Sequence, residues 1–169
     1  PAVRNKKEEV FMSHVIAVAS GKGGVGKTLI TASLAIALRR RGYTVLAVDA
    51  DMGMRNLDLL LGVQDEVFFD VYDVMKKHCK AADALVPVGP AGDFLAASQK
   101  KTWEKADPKD FARVISRLSE KYDYVLIDCP PGRDGAFKSA TSVAEKILFV
   151  VEPSWTSLRD AARVMQYCH

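Results

Sequence analysis

The sequence predicts an α/β protein of three layers, in which a mostly parallel sheet carries helices on both faces. Short apolar runs rich in β-branched residues recur at 14–20 (HVIAVAS), 44–48 (TVLAV), 124–127 (YVLI) and 146–151 (KILFVV). Runs of this kind, without polar alternation, suit strands buried on both faces. Between them lie stretches with apolar residues at helical spacing, and strands separated by helical crossovers pair in parallel. At 169 residues, 49% hydrophobic and 27% charged, the chain has the size and composition of one globular domain.

After the first strand, residues 28–41 read as a helix with Leu29, Ile30, Leu34, Ala35, Ile36 and Leu38 on its buried side. Arg39, Arg40 and Arg41 complement the negative end of its dipole, and Gly42 stands where a left-handed C-terminal cap is wanted. The second strand, 44–48, ends at Asp49. Residues 57–61 and 71–77 read as short helices, 79–92 as the least regular segment, and 94–97 as a third strand. Asp107 is placed as a helix N-cap with Pro108 at the first helical position. Phe111, Val114, Ile115, Leu118 and Tyr122 then form one buried face. A fourth strand, 124–127, ends at Asp128, a fifth spans 146–151, and a last helix covers 158–167 behind Ser154, Thr156 and Ser157. Five strands leave a sheet edge uncovered. Residues 1–11, polar and mixed in charge, read as a flexible N-terminal arm or an expression remnant, and residues 12–169 as the folded domain.

Composition excludes several classes of function. No apolar run is long enough to span a membrane. Cys79, Cys129 and Cys168 are odd in number and lack C-x-x-C spacing, which argues against a disulfide framework or zinc site and for a reducing cytoplasm. The net charge is only +3, and its basic clusters are interrupted: Arg4, Lys6 and Lys7 by Glu8 and Glu9, and Lys100, Lys101 and Lys105 by Trp103 and Glu104. Both clusters read as solvated faces, so nucleic acid is not an expected partner.

The chemistry concentrates in one loop. Gly21, Lys22, Gly23, Gly24, Val25, Gly26, Lys27 and Thr28 fit G-x-x-x-x-G-K-[ST], placed between a strand and a helix. Glycines let successive N–H groups turn inward on a polyphosphate, Lys27 supplies a positive charge to the outer phosphates, and the Thr28 hydroxyl suits a Mg²⁺ ligand. The backbone N–H of Leu29 remains available to the inner phosphate. Ligands of open α/β sheets bind beyond the carboxyl ends of the strands, where Asp49, Asp51 and Asp128 stand. Asp49 and Asp128 suit the water shell of Mg²⁺, and Asp51 suits a water beside the terminal phosphate. The competing assignment for such aspartates is helix capping, which is ranked behind metal binding here.

The lysine directly after the first glycine, Lys22, resembles the signature of the deviant Walker A motif of the ParA/MinD ATPases, which have the P-loop NTPase fold. Residues 49–62 (DADMGMRNLDLLLG) closely resemble switch I of the MinD branch, and residues 96–99 (AASQ) and 152–160 are similar as well. The likeness runs from about residue 14 to the end. It implies ATP and Mg²⁺ as cofactors and an ATP-dependent homodimer, with Lys22 reaching across to the other subunit's phosphates while Lys27 and Thr28 act within their own. It also implies that Asp51 positions the attacking water, that Asp49 and Asp128 hold the metal's waters, and that slow hydrolysis dissolves the dimer. Arg55, Asn56 and Asp58 would report nucleotide state to partners.

The implied role is spatial regulation of cell division, at the level of septum placement. It brings division-site regulatory proteins as partners and a cytoplasmic location with peripheral attachment to the inner membrane. Departures from the family pattern are Leu29, where a hydroxyl residue is usual, and the Pro130-Pro131 pair in switch II. Family members also continue into an adenine-binding segment and an amphipathic membrane helix, so a C-terminally truncated domain is expected. Alternative assignments are a ParA-type partitioning or flagellar-placement ATPase, or a non-hydrolysing partner-binding protein.

Overall fold

The computed structural model describes residues 13–132 and 135–166, so the expected arm at 1–11 lies outside the described residues. Six strands form one sheet in the order β3-β4-β2-β5-β1-β6. They are β1 (His14–Ala19), β2 (Val45–Asp49), β3 (Leu85–Val88), β4 (Gly92–Leu95), β5 (Tyr124–Asp128) and β6 (Lys146–Phe149). All neighbours pair in parallel except β3 and β4. The helices are α1 (Lys27–Arg40), α2 (Leu57–Leu61), α3 (Val71–Met75), α4 (Pro108–Ser119), α5 (Gly135–Thr141) and α6 (Trp155–Met165).

The period of two along each buried strand sorts side chains to two cores. Leu46, Val48, Leu95, Val125 and Ile127 pack with Val71, Phe111, Ile115, Phe137 and Val164, from α3, α4, α5 and α6. Val45, Ala47, Phe94 and Leu126 face the other way, onto Ala32 and Ala35 of α1 and Leu57 of α2. The three-layer arrangement expected from the sequence is therefore present. Asp107 accepts a hydrogen bond from the Lys109 N–H as the α4 cap, and Gly42 adopts φ 90° after α1.

Two local expectations need correction, and one helix was not foreseen. The segment 79–92 contains β3, so the sheet has six strands rather than five and β4 is not its edge. Pro87 hides this strand from a pattern search, and its position explains it: proline donates no ladder hydrogen bond, and here it is exposed on an edge strand. Helix α5 carries glycine, serine and threonine among few apolar residues and is invisible to periodicity. In α1, Leu29 and Ile30 are 57% and 41% exposed, while Thr31, Ala32 and Ala35 are buried. Small residues let that helix lie close to the sheet. Among the described residues no helix is long and apolar enough to cross a membrane.

Gly92 opens β4 at φ 97°, and a Cβ there would lie 2.3 Å from the Val45 carbonyl oxygen. Gly92→Ala is expected to destabilise the fold by about 3 kcal/mol, through left-handed strain plus displacement of β2. Urea denaturation of the variant against the parent measures this.

Candidate functional site

The carboxyl ends of β2, β5, β1 and β6 stand side by side, which brings the predicted residues onto one edge. Strand β1 runs into the glycine loop and the loop into α1. Gly21 is required sterically, since a Cβ there would sit 2.8 Å from the backbone of Asp160 and Ala161 in α6. Positive φ at Gly24 (81°) and Gly26 (89°) curls the loop, and the space beside Gly23, Gly24 and Gly26 is open to 4 Å. Gly26 is the N-cap of α1 and provides no side-chain cap, so the first amides of α1 present their N–H groups and partial positive charge to an anion.

Lys27 is buried at the root of this loop. Its Nζ lies 2.5 Å from Oδ1 of Asp128, itself only 2% exposed, so two charges are paired out of water. Thr31 Oγ1 lies 3.1 Å from the Lys27 carbonyl oxygen and 3.3 Å from Asp128 Oδ1, tying the pair to the next turn of α1. Thr28 follows, half-buried in the first turn, and Leu29 points its side chain outward. Lys22 is held differently. Its Nζ meets Glu152 Oε2 at 2.9 Å with both side chains more than 40% exposed.

Asp49 and Asp128 are register partners across β2 and β5. The Asp49 carboxylate accepts from the Asp51 N–H at 2.9 Å on one oxygen, and from the Asn56 and Leu57 N–H groups at 3.0 Å each on the other. It thus caps α2 and shapes the turn before it, so capping, ranked second from the sequence, is a role Asp49 holds. Burial pushes its pKa up to about 6; the N–H groups of Leu57 and Asp51 pull the other way, and the charge of Asp128 adds to the rise. Asp51 is half-buried in the wall of a cavity of about 650 Å³ shared with Met52, Trp103, Pro130 and Pro131. Arg55 and Asp58 form an almost fully buried ion pair at 2.6 Å, a structural contact of the switch segment.

Sequence reading missed three participants. Thr31 is an ordinary helical residue until α1 is laid against β5. Glu152 opens the segment 152–160, itself part of the family likeness, but nothing in the sequence pairs it with Lys22. Trp103, read among lysines as part of a solvated face, is half-buried, and its Nε1 donates to the Ala50 carbonyl at 2.8 Å, between Asp49 and Asp51.

Among the described residues no group of three or more His, Cys, Asp or Glu side chains converges as a protein-only metal site. The open glycine cradle, the uncapped helix start and the buried lysine fit a Mg²⁺–nucleotide by charge and shape.

A family model described as an AAA domain matches residues 13–169. The septum site-determining protein MinD of Helicobacter pylori is 44% identical over 156 residues, covering 91% of this chain and 58% of the relative. The solved structure of MinD complexed with Mg-ADP from Pyrococcus horikoshii superposes with a TM-score of 0.82 at 40% identity, covering 92% of this chain and 64% of that one. The MinC:MinD cell division complex of Aquifex aeolicus gives 0.82 at 37%, covering 91% and 62%. The chain thus spans a little under two thirds of the length of these proteins.

Two outcomes follow from the buried charges. Asp128→Ala strands the Lys27 ammonium in the interior and is expected to cost about 3–5 kcal/mol in the nucleotide-free protein, measured by urea denaturation. For Asp49 the folded pKa, about 6, exceeds the ordinary 3.8. Below the lower value both states are protonated; between the two values the unfolded chain ionises first, so stability falls as pH rises and levels off above about 6. The contribution amounts to about 3 kcal/mol. The stability of Asp49→Asn relative to the parent should therefore improve by roughly that amount between pH 4 and pH 7, as read from paired denaturation curves.

Proposed function

The chain belongs to the AAA domain family, and from that premise we propose that it is a MinD-like, ATP-binding and ATP-hydrolysing dimerisation switch that serves in placing the division septum. The observation that carries the proposal is the buried Lys27–Asp128 pair beneath an open glycine loop. A polyphosphate brings the negative charge that can take over the lysine, and the loop offers it N–H groups.

In this reading Gly21 to Thr28 and the Leu29 N–H hold the phosphates, while Thr28, Asp49 and Asp128 face the metal side. Bound Mg²⁺ would neutralise phosphate charge and order water around it. Asp51, set on a turn whose backbone is fixed by Asp49, orients the attacking water. Lys22 exchanges Glu152 for the phosphates of a second copy. The exchange costs little, since an exposed pair contributes about 1 kcal/mol or less.

Surface composition supports a second copy as the occupant of this face. Leu29, Met54 and Trp155 are 57%, 67% and 88% exposed, and they follow the glycine loop, β2 and β6 at the same end of the sheet. A division regulator of the MinC kind is the partner class suggested by the Aquifex complex. The proposed setting is the cytoplasm with peripheral association at the inner membrane.

Sedimentation velocity tests the switch. With Mg²⁺ and ATP the protein should sediment as a dimer, with Mg²⁺ and ADP as a monomer, and Lys22→Ala should stay monomeric in both while unfolding at nearly the parental denaturant midpoint. A monomer in both nucleotides for the parent protein would overturn the proposal.

A further inference from the structure

The chain after β4 is laid across the turn that carries Asp51. The Ser98 carbonyl accepts from the Gly53 N–H at 2.7 Å, and Trp103, in a single 3-10 turn at Trp103–Lys105, donates its indole N–H to the Ala50 carbonyl at 2.8 Å. The same carbonyl accepts from the Met52 N–H at 3.0 Å, which closes a three-residue turn with Asp51 at its tip. The indole is itself fixed. Its ring meets Phe111 of α4 edge-on, with centroids 5.2 Å apart at 71°, and Phe111 is fully buried. A rigid core helix, an aromatic ring, an N–H donor and the carbonyl preceding Asp51 therefore form one continuous brace.

We propose that Trp103 is a positioning residue for Asp51: through the Ala50 carbonyl, braced by Phe111, it holds the 49–53 turn and with it the place of Asp51 in the wall of the cavity that both residues line. The kinetic half of this inference rests on the proposed ATP hydrolysis; the structural half stands without it. The phosphate loop and the strap are mounted separately. The loop 21–28 is carried by β1, α1 and α6, whereas the turn around Asp51 is held by the Asp49 carboxylate, which accepts from the Asp51 N–H, and by the strap 98–103. A loosened strap would misplace the water-orienting group and leave phosphate contacts as they are, which is a loss in kcat and not in affinity.

Trp103→Phe keeps an aromatic ring against Phe111 and deletes the donor. In the nucleotide-free protein, hydrogen exchange at the Met52 and Gly53 amides should accelerate about fivefold, the value of one lost hydrogen bond. Steady-state ATP hydrolysis should fall about fivefold or more in kcat, with the Kd for Mg²⁺–ATP unchanged within about twofold; Asp51→Ala supplies the reference for full loss. Phe111→Leu, which retains the donor and removes its brace, should raise exchange at the same amides by a smaller factor, and it answers the question if Trp103→Phe does not fold. Unchanged exchange at these amides overturns the proposal, and so does a Kd that weakens in step with kcat. Absence of hydrolysis in the parent protein would instead defeat the ATPase reading, and the exchange rates alone would then decide whether Trp103 holds the turn.

Discussion

The contact between Lys27 and Asp128 joins the start of α1, the end of β5 and, through the register of the sheet, β2 on its far side. As a source of stability it is a poor choice, because taking two charges out of water costs about as much as their attraction returns. Its sense lies in what it prevents. Without it the loop would carry a buried ammonium with no counter-charge and the sheet edge a buried carboxylate with none. With it, both groups are held in place, desolvated and neutral as a pair, where an incoming polyanion finds a lysine already positioned. Thr31 closes the arrangement from the helix side.

The neighbouring carboxylate meets the same problem in another way. Asp49 lies directly across from Asp128 in the sheet and has no lysine of its own. It takes three backbone N–H groups from the turn and from α2, and its proton affinity rises until it titrates near pH 6. Two buried carboxyl groups on adjacent strands are thus accommodated differently, one by an ion pair, the other by amides and by a proton affinity that burial raises first and the Asp128 charge adds to. A divalent cation at this edge would favour the ionised form of Asp49, and the ionised form is the stronger acceptor for the amides that shape the switch segment. Charge at the site and the shape of the turn are thus one linked equilibrium.

What the sequence revealed and what it hid follow from the range of each interaction. The glycine loop, the aspartates at the strand ends and the apolar face of α4 are written in residues a few positions apart, and their structure follows local rules. The strand at 85–88 was concealed by Pro87, a residue that disqualifies a central strand and marks an edge one. The buried side of α1 was misread because its apolar residues run almost all the way round, so periodicity alone gave Leu29 and Ile30 to the core. Thr31 and Trp103 act on partners 97 and 53 residues away, and nothing in their neighbourhoods announces it. Asp49 is the intermediate case. Its location after a strand was legible, but its capping role needed the path of residues 50–57, which tertiary contacts set.

The two ion pairs of the two lysines differ in a way that matches the two tasks proposed for them. Lys27 is buried and has one partner to lose, so its release needs a ligand that replaces the lost charge in place. Lys22 pairs with Glu152 at the surface, where water screens the attraction and the side chain leaves at small cost. The segments that follow β1, β2 and β6 also carry the exposed apolar side chains Leu29, Met54 and Trp155. Scattered apolar groups of this kind add area to a contact but specify little. On the proposed reading, a buried charge that answers to phosphate and an exposed, weakly paired one make nucleotide the deciding term and apolar area the supporting one. Such a face is suited to associating and dissociating in response to its ligand, rather than to a permanent interface.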